Sequence, residues 1–124
     1  MTRRMLLDRL LKLLFWTALV FAYVAALLPP AEAPSFAPDK IEHFVVFVVL
    51  ALLAAMAWRR TNVTWIGIGL IGFGALIEFS QMAPSLHRDA DWKDWAVDGI
   101  AIAIGLLAAA LVRPLIDRLA ESSR

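Results

Sequence analysis

Four apolar runs, each bounded by charge or proline, set the pattern of this chain. The first, Leu13 to Leu28, carries no charged residue and stops at Pro29-Pro30. With the basic amphipathic lead-in before it, it predicts a helix over about 11–29. The link to the second run is rich in proline and alanine and reads as extended, since proline fixes φ and disfavours helix in the residue before it. Asp39 then suits an N-cap, with Glu42 three residues on completing a capping box, and the second helix runs over 39–58 to Arg59-Arg60. A tight turn at Thr61-Asn62 leads to a third helix over 62–82, with Pro84 as terminator. The fourth covers 95–112, before Arg113-Pro114 and a polar tail. The expected fold is an all-α membrane protein of four transmembrane helices, a single domain over residues 1–124.

Length arithmetic places the polar groups. A spanning helix needs about 20 residues to cross roughly 30 Å of hydrocarbon. The second run has 15 residues free of ionisable groups, Phe44 to Trp58, and the fourth has 14, Gly99 to Val112. Both reach spanning length only when His43 and Asp98 are drawn in at one boundary, and Glu78 lies one turn inside Met82 at the same level. Nine basic residues fall on one side of these helices against three (Lys40, Arg88 and Lys93) on the other. Basic loops stay in the cytoplasm, so both termini are expected inside and the link from Glu78 to Asp98 outside. Trp16, Trp58 and Trp65 would mark the inner interface, Trp92 and Trp95 the outer. Arg3 and Arg4 ahead of an apolar core, with "AEA" at 31–33, also fit a secretory leader. Pro34 directly after that cut disfavours cleavage, and the run reads as a resident helix.

Composition agrees with a membrane protein and narrows its partners. At 61% hydrophobic residues in 124, the chain is domain-sized yet too apolar for an ordinary soluble one. A net charge of +1 with dispersed basic residues offers no stripe for nucleic acid. The absence of cysteine rules out disulfides, thiolate metal sites and a cysteine nucleophile. "GIGLIGFG" lies in an apolar helix without the lysine or strand of a phosphate loop.

Helical spacing gathers the polar groups into stripes. Gly67, Gly74, Glu78 and Gln81 share one face of the third helix, and Asp94, Asp98, Ala101, Gly105 and Ala109 one face of the fourth. Asp39, His43, Val46 and Leu50 share a face of the second. Small residues let membrane helices approach closely, so the stripes are expected to converge with their acids, His43 and Gln81 at the outer end. A carboxylate inside hydrocarbon needs a proton or a cation, and Arg88 is the nearest candidate partner for Glu78. Asp39 and Asp94 also fit helix caps, and His87, Asp89 and Lys93 a solvated loop. His43, Glu78 and Asp98 would make a nitrogen and oxygen ligand set. No HxxxH, HExxH or CxxC spacing supports it, so no metal or cofactor is assigned.

The element "DKIEHFVVFVVL" and, some thirty residues on, "EFSQMAPSLHRDADWKDWAVDGIAIAIG" resemble the VanZ-like family of small bacterial membrane proteins, named for an association with teicoplanin resistance. Asp39, His43 and Phe47 match its D-x-x-x-H-x-x-x-F element. Glu78, Gln81, Pro84 and Arg88 match its later E-x-x-Q, proline and arginine, and Asp91 and Asp94 fall where the family also tends to place acids. The link from Gln81 to Arg88 is one residue longer than usual, Asp98 replaces a common asparagine and Ala101 a usual glycine. The likeness covers residues 39 to 105 and implies an outward-facing polar cluster tied to the cell envelope.

The resulting expectation is a multi-pass protein of the bacterial inner membrane that recognises or modulates an envelope component, a lipid head group or a lipid-linked cell-wall precursor. Its ligand-binding set is Asp39, His43, Glu78, Gln81, Arg88, Asp91, Asp94 and Asp98, with Arg88 holding an anionic group by its planar fork. The alternative is an intramembrane hydrolase or transferase with Glu78, Asp98 and His43 as catalytic candidates. A small proton-coupled exporter is a further alternative, disfavoured because Glu78 lies near one edge and not at the midplane. Oligomeric state is left open.

Overall fold

The computed structural model describes residues 2–29, 31–33, 35–86 and 90–121. They form α1 (Arg3–Leu27), α2 (Asp39–Ala57), α3 (Val63–Gln81) and α4 (Trp92–Glu121), with one 3-10 turn at Pro84–Leu86 and no strand among the described residues. Each of the four helices holds a stretch long and apolar enough to cross a membrane. A helix is suited to that task because it satisfies its backbone polar groups internally. The longest packed seam joins α2 to α4, with α1 against α2 and α3 against α4.

The core is built from the small-residue stripes. Phe47, Leu50, Ala51 and Ala54 of α2 meet Leu70 and Ile77 of α3, Ala101 and Ile102 of α4, and Phe15 of α1. At Gly105 the α2–α4 seam is close: a Cβ there would stand 2.6 Å from Ala51 Cβ and 2.9 Å from the Val48 carbonyl oxygen. The outer faces stay apolar and exposed, as at Phe21, Leu107 and Leu111. Such faces suit hydrocarbon as their solvent.

The starts of α1 and α4 differ from the expected ones, and α2 starts where expected but with a different cap. Helix α1 starts at Arg3 because the Thr2 hydroxyl accepts the Met5 N–H at 3.1 Å, so the basic lead-in is its opening turns. Helix α2 starts at Asp39, and its N-cap is Pro38 and not Asp39 as expected. Glu42 instead reaches back along the link, accepting from Ser35 Oγ at 2.7 Å, the Phe36 N–H at 2.8 Å and the Ala37 N–H at 3.1 Å. Helix α4 starts at Trp92 behind Asp91, whose carboxylate accepts the Lys93 N–H and whose carbonyl accepts the Asp94 N–H, both at 2.9 Å.

Helix α4 also runs through Pro114 to Glu121, past the expected stop at 112. Proline removes one backbone bond, and side-chain ties hold the extension in place. Arg113 donates to the carbonyls of Ala55 at 2.8 Å, Trp58 at 3.1 Å and Thr61 at 3.3 Å, satisfying the orphan end of α2. Arg59, whose side chain is only 7% exposed, pairs with Asp8 at 3.1 Å and Asp117 at 3.2 Å. The start of α1, the end of α2 and the end of α4 are thus joined at one arginine-rich end, where the Trp16 and Trp58 rings also meet. The start of α1 and the end of α4 therefore lie on one side, and Glu78, Asp94 and Asp98 gather with His43 at the opposite end.

Candidate functional site

At that acidic end, α2 presents Lys40 and His43 three positions apart, α3 presents Glu78, and α4 presents Asp94 and Asp98 four positions apart, with Asp91 just ahead of it. Lys40 Nζ lies 3.1 Å from Asp94 Oδ1 and 3.6 Å from Asp91 Oδ2. His43 Nδ1 and Asp98 Oδ1 are 2.9 Å apart, and Asp98 is fully buried. The imidazole stacks on Phe47, centroids 6.5 Å apart and planes 11° off parallel. Room for Asp98 comes from Gly74, where a Cβ would lie 3.0 Å from Asp98 Oδ2 and 3.2 Å from Trp95 Cδ1. Trp95 in turn donates its indole N–H to the Ile71 carbonyl at 3.0 Å, fixing α4 to α3.

Glu78 completes the cluster. Its Oε2 accepts the Asp91 backbone N–H at 3.0 Å, whereas its Oε1 is buried without a hydrogen-bond partner. One ligand atom from each of His43, Glu78 and Asp94 lies within 4.8 Å of the other two. The trio weighed from the sequence had Asp98 in place of Asp94. In the fold Asp98 is engaged with His43 Nδ1, and Asp94 shares the cluster with Glu78.

Other expected site residues take different places. Gln81 is buried, but its amide donates to the Ala26 carbonyl at 2.9 Å and ties α3 to the end of α1, a bond repeated nearby by Tyr23 and Ser80 at 2.8 Å. Arg88, with His87 and Asp89, lies outside the described residues, as does the side chain of Asp39. Lys40 was not among the expected residues. Its signal was in the sequence, since it stands one helical turn before His43 on the same face.

Beside the cluster, a cavity of about 230 Å³ opens between α1, the 29–38 link, α2 and α3. Phe21, Ala25, Val46 and Ile77 give it apolar walls, and His43 and Gln81 line it as well. His43 belongs to both the cavity and the cluster.

The cap of α4 has a pH signature. The Lys93 N–H holds the Asp91 carboxyl below its ordinary value, with Lys40 adding to the effect and partial burial opposing it. A carboxyl whose pKa is depressed on folding stabilises the fold above its ordinary pKa and loses that contribution as pH falls through the lower folded value. Exchange of the Lys93 amide, corrected for its intrinsic rate, is therefore expected to accelerate as pH drops below the ordinary carboxylate range. Asp91→Ala is expected to exchange fast at every pH. Equal protection in the variant at neutral pH would remove Asp91 as the cap.

Compared with protein families, curated proteins and solved structures, the chain finds no match in any of the three.

Proposed function

We infer that this chain is a VanZ-like multi-pass protein of the bacterial cytoplasmic membrane that binds an amphiphilic envelope component, a lipid or a lipid-linked cell-wall precursor. The head group would sit at the acidic end and the hydrocarbon in the adjoining cavity. The observation that carries this reading is the sharing of His43 between a polar cluster and an apolar-walled cavity. Ligand sites pair apolar walls with a few convergent polar groups in this way. The basic count, nine against three, puts the arginine-rich end in the cytoplasm and the cluster at the outer leaflet. Carboxylates outnumber cations among the described cluster residues, which favours a head group rich in hydroxyls or amines.

One observation favours a second reading, hydrolysis or group transfer on such a substrate. A carboxylate bonded to one imidazole nitrogen, as Asp98 is to His43, is the arrangement that orients a histidine for proton transfer. Head-group turnover by purified protein distinguishes the two, since a binder releases its ligand unchanged.

Native mass spectrometry tests the binding itself. The protein released from gentle detergent is expected to carry one amphiphile adduct. Ala22→Trp, which fills the cavity from α1, should lose it, and Leu111→Trp, on the exposed face of α4, should keep it. An adduct equally abundant in the Ala22→Trp protein, or none in the parent, would sink the proposal.

A further inference from the structure

We propose that His43, Glu78 and Asp94 form a site for one divalent cation of the zinc and first-row transition class. Their donor atoms come from three different helices and lie within 4.8 Å of one another. Zinc bonds of 2.0–2.1 Å in tetrahedral geometry set ligand atoms about 3.3 Å apart. Side-chain rotations of about 1.5 Å therefore close the set without moving a helix. One imidazole nitrogen with two carboxylate oxygens suits zinc, manganese or iron, whereas calcium and magnesium prefer oxygen alone. Three protein ligands also leave a coordination position open, as in zinc sites that hold water or substrate.

Two further observations point to an ion. Glu78 Oε1 is buried and accepts no hydrogen bond, a costly state for a carboxylate oxygen and one that a cation relieves. With Nδ1 of His43 2.9 Å from Asp98, metal binding through Nε2 would make Asp98 the outer carboxylate that orients metal-binding histidines. Lys40 supplies positive charge 3.1 Å from Asp94, but its side chain is 55% exposed and can swing into water when a divalent ion arrives. The inference stands without the amphiphile proposed above, because it is tested on lipid-free protein.

Full-length protein in detergent, stripped with chelator, is titrated with Zn²⁺ by calorimetry and with Co²⁺ by its visible ligand-field absorption. One ion per chain is expected, bound more tightly than Ca²⁺ or Mg²⁺. Glu78→Gln and Asp94→Asn preserve side-chain shape and should each weaken binding at least about 100-fold, and Asp98→Asn, acting through His43, about 10- to 100-fold. Asp117→Asn, at the arginine-rich end, should bind as the parent does. Helical circular dichroism and the thermal midpoint in chelator verify that each variant is folded, so lost binding reports the site. No saturable binding below about 1 mM, equal affinity in folded Glu78→Gln and Asp94→Asn, or a preference for Ca²⁺ or Mg²⁺ would overturn the proposal.

Discussion

Asp98→Ala is expected to lower the unfolding free energy by about 3 kcal/mol, since removing one partner from a buried polar pair costs about 3–5 kcal/mol. Asp98 is wholly inaccessible, its His43 partner is 12% exposed at the side chain, and its carboxylate packs against Gly74. Truncation leaves a buried imidazole without its acceptor and a void against α3. Asp98→Asn, which keeps the volume and a polar atom facing His43, should lose about 1 kcal/mol. The double variant His43→Ala with Asp98→Ala should lose less than the sum of the single changes, because neither then strands the other. Denaturant titration in mixed micelles measures all four proteins. Additive losses, or an Asp98→Ala protein within about 0.5 kcal/mol of the parent, would mean that the pair does not hold α2 to α4.

The second large effect is expected at Gly105. Its missing Cβ would fall 2.6 Å from Ala51 Cβ and 2.9 Å from the Val48 carbonyl, distances at which something must shift, and the obstacles belong to the α2 backbone and a short side chain that cannot rotate away. Gly105→Ala should therefore destabilise by about 1–3 kcal/mol, the usual range for overpacking. At Gly69 and Gly72 of α3 no atom stands within 4 Å of an added Cβ. Alanine there should be neutral or stabilise by up to about 1 kcal/mol, through lower backbone freedom in the unfolded chain. The same denaturant titration compares the three variants. If all three alanine variants behaved alike, close approach of α2 to Gly105 would not be what requires glycine there.

Much of this architecture was legible in the residue pattern. Four spans followed from run length, because hydrocarbon thickness imposes a length that sequence alone reveals. The stripes on α2, α3 and α4 were also readable, since a stripe of small residues and acids at helical spacing can be buried only against another helix. Helix ends were less legible. Arg113 and Arg59 looked like surface charges that close a helix, but their partners Ala55, Trp58, Asp8 and Asp117 are distant in sequence. The same limit applied at the site. Spacing placed His43, Glu78, Asp94 and Asp98 at one level, but it could not decide which carboxylate the imidazole would take, because helix rotation settles that. Gln81 showed the polar character of a ligand residue, and only the position of Ala26 reveals it as a tie to α1.

Glu42 and His43 are neighbours on the first turns of α2, and they serve different loads. Glu42 gathers Ser35, Phe36 and Ala37 into a strap beside the cavity, and His43 takes part in the polar cluster. The far end of the same helix is pinned by Arg113. Strap and imidazole thus ride on the same first turns of a helix whose far end is anchored, so a rigid rotation of the α2 N-terminus would carry both.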